Sequence, residues 1–260
     1  MRPRSEIGVP PELLERILAL AGDGMILVGG QALAFWAAYY GTPAPAMAIT
    51  KDVDFLGTRE DVERLARGLD ARAVLPRKSD MTLLVGQVTK DLPGGNYINI
   101  DVMSRVFGEL TTEVIASRAV QADSPAGRFL VLHPLDVLQG RLENVYGLSA
   151  KQDEHGMEQL KVAVEVARKF LMEIATLEEL DTGVAARPVA LGHVARIERL
   201  ALSDAGRKVA KRHGIHLADA IDPAPLKHVR LFMSKKFPQL LKLMSAPRRA
   251  ELGAVLTRRT

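Results

Sequence analysis

Two segments, residues 50–57 (TKDVDFLG) and 96–104 (NYINIDVMS), alternate polar and apolar residues with a period of two. Successive side chains of a strand point to opposite faces. Each segment therefore predicts a half-buried strand, with Val53 and Phe55 facing a core in the first and Ile98, Ile100 and Val102 in the second. The remaining positions share the other face, so Asp52 and Asp54 project together, and Asn99 and Asp101 do the same on a strand that can lie beside them. A chain built on these two segments needs a sheet with one apolar face and one face bearing carboxylates.

The surrounding sequence supplies the rest of that sheet and its helices. Pro10-Pro11 and ELLERILALAG predict a short helix, with proline in the first turn and Gly22 as the stop. MILVG (25–29) reads as a short buried strand, running through Gly29-Gly30 into a helix, QALAFWAAYYG, that ends at Gly41. Residues 42–49 form a Pro/Ala-rich loop, and Thr58 caps a helix over 58–69. MTLLVGQVT (81–89) and NYINIDVMS are strands joined by the turn KDLPGG, and GRFLVLH (127–133) is a further strand. From Pro134 the pattern becomes helical: LDVLQGRLENVYGL, a run over about 153–175, and residues 189–260, broken at Gly206, Gly214, the DPAP at 222–225, Pro238 and Pro247. The expected fold class is α+β, with a mixed sheet flanked by helices over residues 1–133 and a helical domain over 134–260.

Charge divides the chain in a similar way. Residues 1–186 hold 19 Lys+Arg against 26 Asp+Glu, net −7, whereas 187–260 hold 16 against 5, net +11. That excess predicts a surface that attracts a polyanion in a salt-dependent manner, although a solvated helix surface is the plainer reading. Only Phe232 and Phe237 supply rings there, which favours a duplex or stem backbone over stacked single-stranded bases. There is no cysteine, hence no disulfide or thiolate metal site. No apolar run approaches the roughly 18 residues of a membrane span, and the start lacks the apolar core of a signal peptide. A cytoplasmic protein without membrane contact is expected.

Three features bear on chemistry. Glycines between a strand and a helix let a phosphate approach the N–H groups of a helix start, though Gly29-Gly30 equally suits a tight turn that packs a helix on a sheet. Asp52 and Asp54 on one strand face repel each other unless a cation lies between them, and magnesium takes oxygen ligands while leaving positions for phosphates; alone, the pair also suits a wet strand face. Asp101 adds a third carboxylate on a later strand. His213 and His216 lack an acidic or thiolate partner at metal-binding spacing and read as ordinary polar residues, and Phe35, Trp36, Tyr39 and Tyr40 read as core packing. No nucleophile elbow is present.

The order VGGQALAFWAAYYG, TKDVDF, INIDVMS resembles the nucleotidyltransferase superfamily of the polymerase-beta type. It is most similar to the AbiEii-like branch of abortive-infection and toxin–antitoxin proteins, whose pattern reads roughly GG-x-A-L, then T-x-D-x-D. Here these are Gly29-Gly30-Gln31-Ala32-Leu33 and Thr50-Lys51-Asp52-Val53-Asp54. The resemblance spans about residues 25–170 and implies a nucleotidyltransferase-type sheet. It implies that Asp52, Asp54 and Asp101 are catalytic and hold two magnesium ions, and that Gly29, Gly30 and Gln31 cradle the phosphates of a nucleoside triphosphate, with Thr50 and Lys51 beside them. Family members continue with a helix carrying a Lys and then an Asp. Arg141 stands at the Lys position and Asp153 at the Asp position, and both are nucleotide-binding candidates. The implied reaction moves a nucleoside monophosphate from an NTP to an acceptor: RNA, with tRNA favoured, or protein, in a toxin-like enzyme with a cognate antitoxin as a possible partner. A transferase acting on a small molecule such as an aminoglycoside, or a non-catalytic module binding nucleic acid or a partner, remains an alternative.

Overall fold

A computed structural model describes residues 5–45, 48, 50–77, 80, 82–180 and 189–257. The chain forms two compact units, one of Met1–Ala38 and Ala44–Gly140, the other of Tyr39–Pro43 and Arg141–Thr260.

The first unit is a mixed sheet with helices. Its strands are β1 (Ser5–Glu6), β2 (Ile26–Val28), β3 (Val53–Leu56), β4 (Arg72–Val74), β5 (Leu84–Asp91), β6 (Asn96–Met103), β7 (Val120–Ser124) and β8 (Gly127–Val131). Its helices are α1 (Pro11–Ala21), α2 (Gly29–Tyr39, whose last residue belongs to the second unit), α3 (Arg59–Leu69) and α4 (Thr112–Arg118). The spatial order is β4-β5-β6-β3-β2-β8-β7, with β1 added on β6. Strand β6 runs parallel to β3 and antiparallel to β5, and β2 is antiparallel to β3 and parallel to β8. The expected alternation holds: Val53, Phe55, Ile98, Ile100 and Val102 are fully buried. Helix α3 begins where Thr58 and Asp61 cap each other, the Thr58 hydroxyl accepting from the Asp61 N–H and the Asp61 carboxylate from the Thr58 N–H at 2.7 Å. Such a cap contributes about 1 kcal/mol, and it starts a helix that buries Val62, Leu65 and Leu69. The indole of Trp36 donates to the Leu132 carbonyl at 2.8 Å, so the large ring of α2 is core.

Helix α5 (Pro134–Gly147) carries the chain into the second unit, which contains α6 (Glu154–Leu180), α7 (Val189–Leu202), α8 (Asp204–His213), α9 (Phe237–Leu241) and α10 (Ala246–Thr257), with short 3-10 turns at Leu217–Ala220 and Ala224–Leu226. Three expected breaks fall elsewhere. Gly206 lies inside α8, because the corner is made by Ser203, whose hydroxyl accepts from the Gly206 N–H at 3.0 Å. A Cβ on Gly206 would stand 2.1 Å from the Leu200 carbonyl oxygen, so the glycine permits a tight α7–α8 corner. Pro247 stands in the first turn of α10, where the missing N–H has no intrahelical role, so it opens a helix and does not end it. Pro238 lies inside a helical run, directly after a π-helical turn at Phe232–Lys236, and does not end it either. Gly214 does end α8, in the left-handed conformation. Among the described residues no helix is long and apolar enough to cross a membrane.

Candidate active site

The carboxylates are brought together by strand register. In the parallel β3–β6 pair, Asp54 lies level with Asp101, as Val53 does with Ile100 and Phe55 with Val102. Residues level across a pair share a face, so Asp54 and Asp101 stand side by side on the face opposite the core. In the antiparallel β5–β6 pair, Gln87 is level with Asp101 and Thr89 with Asn99. The Gln87 amide donates to Asp101 Oδ1 at 2.7 Å. The strand reading of residues 50–57 is too long: β3 starts at Val53, and Asp52 occupies the bend leading into it.

The glycine pair shapes the site from the other side. Gly29 has a φ of 66°, and a Cβ there would stand 1.9 Å from Asp54 Oδ2. A Cβ on Gly30 would stand 2.2 Å from Thr50 Cγ2. The room left by both glycines is thus filled by Asp54 and Thr50. The Asp54 carboxylate lies against the first turn of α2, the positive end of the helix dipole, where negative charge is favoured. Gln31, on the same turn, donates its amide to the Thr50 carbonyl at 2.9 Å, and the Thr50 hydroxyl reaches the Asp52 carbonyl at 3.3 Å. Gln31 and Thr50 therefore hold the approach to Asp52. Lys51 is exposed in the bend.

The sequence reading missed a fourth acid. Strand β1 pairs in parallel with β6, Ser5 level with Asn96 and Glu6 with Tyr97, and the Ile7 N–H donates to the Tyr97 carbonyl at 3.0 Å. Tyr97 is also level with Asp91 of β5, so β1 must use the edge of β6 that β3 uses further along. Glu6 consequently meets Asp52 where one strand ends and the other begins. Its carboxyl accepts from the Asn99 amide. Burial, then the neighbouring Asp52 carboxyl, push the Glu6 carboxyl above its ordinary range, against the Asn99 donor, with Asp101 adding a smaller push. Asp101 is raised as well, first by burial and then by Asp52, against the lowering effect of Gln87.

Asp52 and Asp101 are ion-paired with no lysine or arginine among the described residues. The side chains gathered here offer carboxylate oxygens, the donors that suit a hard divalent cation. Among the described residues no three acidic or imidazole side chains are grouped closely enough to hold a metal ion as they stand.

The two later candidates belong to the second unit and have structural partners there. Arg141 donates to the Gln159 side chain at 2.8 Å, and Asp153 caps α6 by accepting from the Gly156 N–H at 2.8 Å. His216 Nδ1 contacts the Leu243 carbonyl oxygen at 3.1 Å. Phe232 and Phe237 are buried with ring centres 6.0 Å apart.

No family model matches the chain, and no curated protein matches it. Solved structures that align with it include JHP933 from Helicobacter pylori, at 12% identity over 78% of this chain and 93% of that one, with a TM-score of 0.36. The Megavirus polyadenylate synthase aligns at 10% identity over 90% of this chain and 51% of that one, with a TM-score of 0.37. Likeness at that level carries no argument about this chain's activity.

Proposed function

We propose that the first unit transfers a nucleoside monophosphate from a nucleoside triphosphate to an acceptor, with magnesium held by Asp52, Asp54 and Asp101. The observation that carries this reading is the level pairing of Asp54 with Asp101 across two parallel strands, with Asp52 at the mouth of the same strand. Bound there, the metal would neutralise the triphosphate and stabilise the attacking and leaving oxygens of an in-line displacement. Gly29 and Gly30 serve by letting Asp54 and Thr50 close on the start of α2, so that the carboxylate receiving the phosphate-bearing metal lies at the positive end of a helix. Asp101 would hold the metal or accept the proton of an acceptor hydroxyl.

RNA is the proposed acceptor. Arg207, Lys208, Lys211 and Arg212 are exposed along one face of α8, at a spacing that repeats each helical turn. Such a face suits a phosphate backbone, and Phe232 and Phe237 are buried and turned away from stacking. A toxin-like role with a cognate antitoxin rests on the resemblance of the glycine and aspartate motifs alone.

The test is incubation with magnesium, each labelled NTP and total RNA or candidate proteins. Asp54→Ala should lower transfer by more than about 100-fold, beyond the 10–100-fold loss typical of residues that only support a metal ligand. Transfer that survives the substitution, or RNA binding without transfer to any acceptor, overturns the reading.

A further inference from the structure

The register of the β5–β6 pair slips once. Leu84 is level with Met103 and Gly86 with Val102, so two steps along β5 answer one step along β6, and Val85 is the extra residue. A bulge of this kind changes which side chains share a face from that point on. Continued without it from Leu84, the ladder would set Gly86 level with Asp101 and Gln87 level with the buried Ile100. With it, Gln87 is level with Asp101, and the Gln87 amide donates to Asp101 Oδ1 at 2.7 Å.

Packing on the other face is matched to the slip. A Cβ on Gly86 would stand 2.8 Å from Leu75 Cδ2 and 3.0 Å from both Val62 methyls, so the glycine lets α3 close on the core face of β5. Its neighbour Gln87 takes the face of the carboxylates. The Gln87 backbone is held on both sides, level with Val74 of β4 and with Asp101 of β6. Asp101 itself stands between Gln87 and Asp54, and its side chain accepts no other hydrogen bond among the described residues. With Oδ1 taken on the β5 side, Oδ2 is the oxygen left for a cation.

We infer that Gln87 is a positioning residue for the proposed reaction: brought level by the bulge at Val85, it holds Oδ1 of Asp101 and so presents Oδ2 to the metal. This rests on the reading of Asp101 as a metal ligand. An amide suits the task, because its NH2 end donates to a carboxylate without carrying a charge that would compete with the cation. Removing a group that orients a metal-binding side chain typically costs about 10–100-fold in metal affinity.

The experiment titrates the full-length protein with Mn2+ alone, by calorimetry, and measures the melting temperature of every variant. Wild type should bind and Asp54→Ala should not. Gln87→Met keeps the length of the side chain and loses the donor, and it should bind about ten-fold more weakly. Gln87→Leu, a second side chain without a donor, should match it. Asp101→Ala should weaken binding, and adding Gln87→Met to it should cost little more, because Gln87 acts through Asp101. A Gln87→Met variant that melts lower but binds Mn2+ as wild type does makes Gln87 a structural contact and overturns the inference. So does a Gln87→Met loss of the same size with and without Asp101, since Gln87 would then act on the ion by another route. If wild type and Asp54→Ala bind alike, the metal site fails and the inference fails with it; if Asp54→Ala loses binding and Gln87→Met keeps it, the site stands and the role of Gln87 alone is lost.

Discussion

Two charge clusters among the described residues, one in each unit, are built on opposite plans. In the second unit Arg248, 5% exposed, bonds Glu251 at 2.7 Å and Asp222 at 3.0 Å. Burial opposes its charge, but the bonds to Glu251 and Asp222 outweigh that and hold its proton more tightly than usual. Asp222 also accepts from the Ala224 N–H at 2.8 Å. Cation and anions answer each other, and the cluster joins α10 to the turn at Asp222. In the first unit Glu6, Asp52 and Asp101 are gathered with no ion-paired lysine or arginine among the described residues, and burial, then the charge of Asp52, pushes Glu6 and Asp101 up. Internal neutrality belongs to a cluster that holds structure. In the first cluster the counter-charge would come from the proposed metal ion.

The largest test of this contrast is Arg248→Ala. Removing one partner of a buried pair strands the other, so urea unfolding should reveal a loss of about 3–5 kcal/mol; a loss below 1 kcal/mol would place Arg248 among ordinary surface pairs. Next comes Gly29→Ala, which should cost at least about 1–2 kcal/mol for the left-handed backbone alone. It should also abolish Mn2+ binding by driving Asp54 from its place, and retained binding would show that Asp54 has no need of the helix start.

The smallest effect is expected from Asp101→Asn in metal-free buffer, and its sign is the reverse of the other two. The folded protein holds the Asp101 proton above the ordinary value of 3.8. Below that value both folded and unfolded chains are protonated, and the stability associated with this group is fully present. As pH rises the unfolded chain ionises first, unfolding then releases a proton, and stability falls until the folded group has ionised too. Asparagine lacks this fall, so the melting temperature of the variant should pull ahead of wild type as pH rises from about 4 towards neutrality. A wild type that gains stability over that window relative to the variant would mean that Asp101 is compensated within the protein.

The α+β plan was legible because β3, β6 and α3 carry their own periodicity and cap: Val53/Phe55, Ile98/Ile100/Val102 and Thr58/Asp61 each encode their element locally. The side-by-side placement of Asp54 and Asp101 was legible for the same reason, since alternation assigns the face and neighbouring strands bring the faces together. Strand β1 was not, because two residues are too few to show a period, and Glu6 becomes part of the site only through the edge of β6 that it occupies. The meaning of Gly29-Gly30 was half legible. Sequence shows where side chains are missing, but which neighbours fill the space depends on the fold. Gly206, Pro238 and Pro247 misled because each acts through a partner or a position: Gly206 through the Leu200 carbonyl, Pro238 through the π-helical turn just before it, and Pro247 through the first turn of α10.

The excursion of residues 39–43 has a consequence for how the protein is made. These five residues belong to the second unit although the chain on both sides belongs to the first. The Tyr40 hydroxyl donates to Glu173 at 2.7 Å, and Lys169 donates to the carbonyls of Tyr40 and Gly41. During synthesis this short stretch leaves the ribosome well before the α6 residues that receive it. The sheet can close around a loop that waits for its partners, but the second unit is complete only when the earlier stretch is delivered to it. The units are consecutive in outline and interleaved in assembly, and a cut after Gly140 would separate Tyr40 from Glu173.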